Sequence, residues 1–317
     1  MTEKMAKSEK SEKSEKSEKS EKSEKSEKSE KSEKSEKSEK SEKSEKSEKS
    51  DKTDKTDKTD YALNIKTVQG TTIKILVEAL KEILTDTVFI INDSGIRICT
   101  MDSSHVILIH MKLESSKFEH YECDGEQMIG INMLNLNKLI KTVNNNDTIS
   151  LSMLNSNKNE LEIRVENNDK NTLRISKLNL LDLDNNNMEI PPVEFNSVIT
   201  LPSGDFQKIC RDIANLSEHV EITNTDNKLI LSCKGDFCTH EIIMNDSENL
   251  KIQQTDDGVI YQGEFDSKYL LQFTKCTNLS NVIELYLKND YPLIVQYSVG
   301  SLGTIKLCLA PQQKNTD

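Results

Sequence analysis

Residues 180–192 split the chain into two stretches that carry the same succession of patterns, and that repetition constrains the fold more than any other feature. Upstream, residues 72–84 place Ile73, Leu76, Val77, Leu80 and Leu84 on one helical face. Strand signals follow at 88–91, 96–99 and 106–111. Residues 133–143 return to helical period through Leu136, Leu139, Ile140 and Val143. Strict alternation then marks 149–153 and 161–165, with the Asn-rich run 155–159 as the turn between them. Downstream, Ser203 is the expected N-cap of a helix whose stripe is Phe206, Ile209, Cys210, Ile213 and Leu216. Strands are expected at 220–223 and 229–233, then a helix over 267–276 burying Leu270 and Phe273. Strands at 283–287, 293–297 and 305–309 end the pattern. Each stretch reads helix, strands, helix, strands, which implies an internally duplicated α+β chain.

The stretch between them is itself unusual. Asp182 and Asp184 to Asn187 favour solvent, whereas Met188, Ile190, Val193 and Phe195 favour cover. Pro191 and Pro192 block continuation as helix or central strand. A solvated connector that carries apolar residues is either packed down or used to bind something.

The first sixty residues belong to another class. Ser-Glu-Lys repeats from Ser8, and Asp-Lys-Thr follows to Asp60. The 19 Lys balance 15 Glu and 4 Asp, and almost nothing apolar is present. Such a segment cannot bury enough surface to offset chain entropy, so a disordered leader is expected. The remainder holds 42 − 19 = 23 basic and 54 − 19 = 35 acidic residues, net −12. Bulk charge therefore argues against nucleic-acid binding, though not against a local basic face. Seven cysteines without a CxxC pair, several inside apolar runs, read as reduced thiols. No apolar run is long enough to span a membrane.

A local basic face is what the helices imply. Each of the four predicted helices carries two cations on one side: Lys74 and Lys81, Lys138 and Lys141, Lys208 and Arg211, Lys268 and Lys275. Spacings of three or seven residues bring both members to one face, opposite the apolar stripe. Packed side by side, these helices would present eight cations to a polyanion, through contacts that position without reading sequence.

The motif Met101 to Val106 (Met-Asp-Ser-Ser-His-Val), with 68–70 upstream, resembles the sliding clamp family of proliferating cell nuclear antigen (PCNA). Collinear matches at 181–184, 190–191, 201–206, 209–212 and 309–311 extend the resemblance over residues 61–311. It implies a DNA-clamp fold of two similar domains, over 61–179 and 196–311, joined by a connecting loop at 180–195. The leader 1–60 and the end 312–317 fall outside it. It implies that three subunits form a ring around duplex DNA, with helices inside, sheets outside, and the eight cations facing the DNA. It implies a peptide groove at Met101, His105, Val106, Leu108, Met188, Ile190, Pro191, Phe195, Pro292, Ala310 and Pro311. Partners implied are DNA polymerase, an ATP-dependent clamp loader, and replication and repair proteins carrying a short peptide motif. No enzyme activity, cofactor or metal is implied, and the location is nuclear or a viral replication site in the cytoplasm. Ser176, where some relatives place an aromatic at the subunit edge, leaves a second expectation: a clamp-like adaptor that binds peptides without encircling DNA. Asp102, Ser103, Ser104 and His105 contain the ingredients of a catalytic triad, but neighbours on a strand point to opposite faces, and no nucleophile elbow is present.

Overall fold

The computed structural model describes residues 60–184, 188, 193–225, 227–255 and 259–312. The repeat leader and, within the connector, Ile190 and Pro191 lie outside the described residues. The first half runs β1 (Tyr61–Thr67), α1 (Gly70–Leu80), β2 (Asp86–Asn92), β3 (Gly95–Met101), β4 (Ile107–Glu114), β5 (His120–Cys123), β6 (Gln127–Asn132), α2 (Met133–Ile140), β7 (Asp147–Leu154), β8 (Asn157–Asn167) and β9 (Thr172–Asn179). The second runs β10 (Ser197–Pro202), α3 (Ser203–Ala214), β11 (His219–Thr225), β12 (Lys228–Lys234), β13 (Thr239–Asn245), β14 (Lys251–Gln254), β15 (Tyr261–Asp266), α4 (Ser267–Phe273), β16 (Val282–Leu287), β17 (Leu293–Val299) and β18 (Gly303–Leu309). The order of elements is identical, so the duplication expected from the pattern is present in the fold.

The pairings repeat as well. In the first half the sheet order β5-β1-β7-β8-β9 matches β14-β10-β16-β17-β18 in the second. Likewise β4-β3-β2-β6 matches the separate four-stranded sheet β13-β12-β11-β15. The halves fuse where β18 pairs antiparallel with β4, from Gly303↔Leu113 to Leu309↔Ile107, which builds one nine-stranded sheet across the joint. Close approach there depends on Gly303, because a Cβ would stand 2.0 Å from the Lys112 carbonyl oxygen.

The helices form a second layer. α1 packs on α2, α3 packs on α4, and a 3-10 turn after α4 (Thr274–Leu279) joins the pairs by packing on α1 and α3. Their apolar stripes, among them Leu76, Leu80, Leu136, Ile140, Phe206, Ile213, Leu270 and Phe273, are buried against the inward residues of the strands. Burying each such side chain contributes about 1.5–3 kcal/mol, so the amphipathic stripe fixes which side of every helix faces the sheets.

Local details differ from the sequence expectation. The 267–276 helix is α only to Phe273, and the rest is 3-10. Ser203 is the first helical residue and not its cap; its hydroxyl donates to the carbonyls of Ser280 (2.5 Å) and Thr277 (3.3 Å). Side-chain caps occur at Asn132, which accepts from the Asn135 N–H, and at Asp266, which accepts from the Lys268 N–H. The Asn-rich turn is shorter than expected, since β8 already starts at Asn157. The Asn157 Oδ1 accepts from the Asn159 N–H, and its side-chain amide donates to the Glu160 carboxylate.

Candidate partner groove and nucleic-acid interface

The groove begins with the turn between β3 and β4. Asp102 is 7% exposed, and its carboxylate accepts from the backbone N–H of Ile107 (2.8 Å), Val106 (2.9 Å) and Ser104 (3.1 Å), and from the Ser104 hydroxyl. Burial alone would raise its pKa, but the Ser104 hydroxyl and these three amides outweigh it and hold the carboxyl below its ordinary value. The wrapped turn sets His105 at φ 57 and leaves its ring exposed. The acid, hydroxyl and imidazole of the motif thus serve to fold a loop, and Asp102 is engaged by Ser104 rather than by His105.

Beyond the turn, the outward residues of the nine-stranded sheet form an apolar row. Met101 lies opposite Leu108, Leu108 opposite Cys308, Cys308 opposite Ile294, and Ile294 opposite Tyr286. Phe195, at the described end of the connector, sets its ring edge-on to Tyr286 with centroids 5.5 Å apart. Val106, Pro292, Ala310 and Pro311 stand at the strand ends beside this row, and Met188 is 37% exposed. Cys308, Ile294 and Tyr286 were not among the residues expected from sequence. Their signal was present: each is an apolar residue at an outward position of an alternating strand. Burial pushes the Cys308 thiol up to about 12, so it acts as apolar wall and not as a nucleophile.

The described part of the connector leaves the first half from a fixed point. Leu181 bridges to Gly130 on the edge strand β6, where a Cβ on Gly130 would meet the Leu181 carbonyl oxygen at 2.3 Å. The chain re-enters at Ser197 in β10, seven strand positions away in the same sheet. Seven spacings amount to about 34 Å, which residues 182–196, about 50 Å long at full extension, suffice to span.

The cations occupy the helical layer. Lys138, Lys141, Lys208, Arg211, Lys268 and Lys275 are exposed, while Lys74 and Lys81 are half-buried. The Lys74 ammonium donates to the Val143 carbonyl at 3.2 Å, which ties α1 to the end of α2. Lys81 lies at the C-cap of α1 and pairs with Glu82 at 2.5 Å. The Lys81 hydrogen bond and charge, with the charge of Lys275 from the other half, hold the Glu82 carboxyl below its ordinary value. Lys208 pairs with Asp205 at 3.6 Å and Lys268 with Asp266 at 2.9 Å. Six exposed cations thus lie on the helical layer, two of them, Lys208 and Lys268, beside the carboxylates of Asp205 and Asp266.

No group of His, Cys, Asp and Glu able to hold a metal occurs among the described residues, and none of their helices is long and apolar enough to cross a membrane. The family model for the N-terminal domain of proliferating cell nuclear antigen matches residues 62–188, and that for its C-terminal domain matches 189–312. The chain belongs to the PCNA family. A probable DNA polymerase sliding clamp of Paramecium bursaria Chlorella virus 1 is 36% identical over 252 residues, 78% of this chain and 96% of that protein. The proliferating cell nuclear antigen of Chaetomium thermophilum is 31% identical over 257 residues, 79% of this chain and 98% of that protein. The resemblance carried by the 101–106 motif and the two-domain clamp fold are therefore established. PCNA family members are non-enzymatic processivity factors that bind DNA, form homotrimers and interact with DNA polymerase. This chain is a sliding clamp and not an enzyme, which accounts for a triad-like motif spent on a loop.

Proposed function

We propose that three copies of this clamp close into a ring around duplex DNA and that partner peptides dock on the apolar row beside the connector. The β18–β4 joint carries the first part. Its counterparts in the repeat are β9 and β13, and both are sheet edges. Tracing the matched registers from buried Ile65 and Ile199 puts Ser176 in the place of Leu307. Tracing them from the caps Asn132 and Asp266 puts His240 in the place of Ile109. Leu307 and Ile109 are opposite each other in the joint. Repeating the joint between copies therefore sets Ser176 of one against His240 of the next, and Leu173 against Ile243. Leu173 is 53%, Ile175 52% and Ile243 53% exposed, and open edges with such residues call for a covering strand. A head-to-tail contact of this kind either closes or grows into a fibre, and the family's homotrimer supplies the closure.

In such a ring the helical layer, with its exposed lysines and Arg211, faces the DNA, and the nine-stranded sheet faces outward. Topology then retains the DNA, so phosphate contacts need only be weak and non-specific, and sliding follows. A clamp loader using ATP opens the ring; polymerase and other replication and repair proteins share the groove, Ile190 and Pro191 included. The working place is the nucleus or a viral replication site in the cytoplasm. Particle mass with negative-stain imaging tests the ring. The expected result is three chains with threefold symmetry and a central hole; a stable monomer at micromolar concentration overturns it in favour of the peptide-binding adaptor.

A further inference from the structure

Two residues along the strands from the apolar row, the outward face of the nine-stranded sheet turns cationic. Arg97 on β3 lies directly opposite Lys112 on β4, and His110 on β4 directly opposite Lys306 on β18. Arg97 and Lys112 are exposed, and His110 and Lys306 half-buried. Side chains opposite one another across a ladder stand about 5 Å apart, and like charges placed so cost stability. None of the four takes part in an ion pair among the described residues. Burial lowers the pKa of His110, and the charges of Lys306, Lys112 and Arg97 lower it further. Of the acids on this face, Glu284 accepts from the Tyr286 hydroxyl and the Gln296 amide, and Glu114, opposite Gly95, is one outward position beyond Lys112 but makes no ion pair with it among the described residues.

The fold does not require these charges. In the matched registers, Arg97, Lys112, Lys306 and His110 correspond to Ile230, Ile243, Ile175 and Glu241 of the repeated sheets. The same backbone positions thus accept apolar and acidic residues where the equivalent edge is built. These four groups stand beside the proposed groove, on the side of the sheet away from the helical layer, in a chain of net charge −12.

We infer that this strip, Arg97, Lys112 and Lys306 with His110, receives an acidic flank of the partner peptide whose apolar part occupies the Met101–Leu108–Cys308–Ile294–Tyr286 row. The inference rests on the proposed groove. The occupant follows from continuity and charge: successive outward residues are about 7 Å apart, so a peptide leaving the row along the strands reaches Lys306 and His110 first and Lys112 and Arg97 next. Carboxylates there relieve the like-charge opposition, lengthen the residence of the partner and select acid-flanked motifs over neutral ones.

The test compares synthetic peptides that carry a glutamine and an apolar/aromatic turn, with Asp/Glu or Ser/Asn on either flank, binding to the full chain by fluorescence anisotropy. The wild type is expected to bind one acid-flanked peptide about tenfold more tightly than the neutral one at low salt, with the advantage shrinking as salt rises. The double variant R97E/K112E is expected to keep its affinity for the neutral peptide and lose that advantage. Equal binding of acidic and neutral peptides to the wild type overturns the strip as an acid receptor, with the groove intact. Failure of both peptides to bind removes the groove and the strip's role together. Loss of duplex-DNA retention in R97E/K112E, with peptide preference unchanged, assigns the strip to nucleic acid and likewise overturns the inference.

Discussion

Asp102 shows how much one side chain decides. A single carboxylate collects three backbone amides and a hydroxyl, and so shapes the turn that carries His105 and Val106. Hydrogen bonds to a charged acceptor are among the strong ones. Replacing Asp102 by Asn is expected to cost about 2 kcal/mol at pH 7, read from urea midpoints. The folded carboxyl titrates below its ordinary value, so its stabilisation is present above the unfolded pKa and is lost as pH falls through the folded one. The gap between D102N and wild type should therefore narrow as pH falls through and below the ordinary carboxylate range; a gap independent of pH sinks the assignment. The motif was legible as a family signature, but the job of its aspartate was not, because hydrogen bonds to the next residues' amides leave no trace in residue type.

At the scale of elements, the apolar stripes of the four helices were read from period alone, and the burial of those stripes follows from it. The fates of the cations on the opposite faces could not be read so. Lys74 turns inward to the Val143 carbonyl just past α2, and Lys81 is held by its neighbour Glu82. The exposed set is the better candidate for DNA contact. Reversing Lys138, Lys141, Lys208 and Arg211 to Glu is expected to reduce retention on circular duplex and polymerase processivity severalfold, leaving peptide affinity unchanged. Undiminished processivity would remove these helices from the DNA interface. The strands show the same division: pattern placed ten of them, whereas β1, β6, β10 and β15, and the short β5 and β14 that pair with β1 and β10, were not expected.

For the whole molecule, the decisive feature is that one joint, β18 on β4, is made within the chain while its counterpart is left open at β9 and β13. Placing Asp at both Leu173 and Ile243 introduces like charges at matched positions of that open joint, where burial and repulsion act together. The double variant is expected to sediment as a monomer with an unchanged circular-dichroism spectrum; a persistent trimer excludes these edges as the contact. β9 itself should remain in place, since Arg174 reaches back to Asp147 at 3.2 Å and to Thr142.

The sequence by itself determined the duplication, the α+β class, the amphipathic helices and the family, because periodicity and short collinear motifs are local properties. Tertiary structure alone decided which outward residues became neighbours: Met101 with Leu108, Cys308, Ile294 and Tyr286, and Arg97 with Lys112. The Leu108–Cys308 contact joins strands from opposite ends of the chain, and only the register of the ladders, which no single segment encodes, puts these residues side by side.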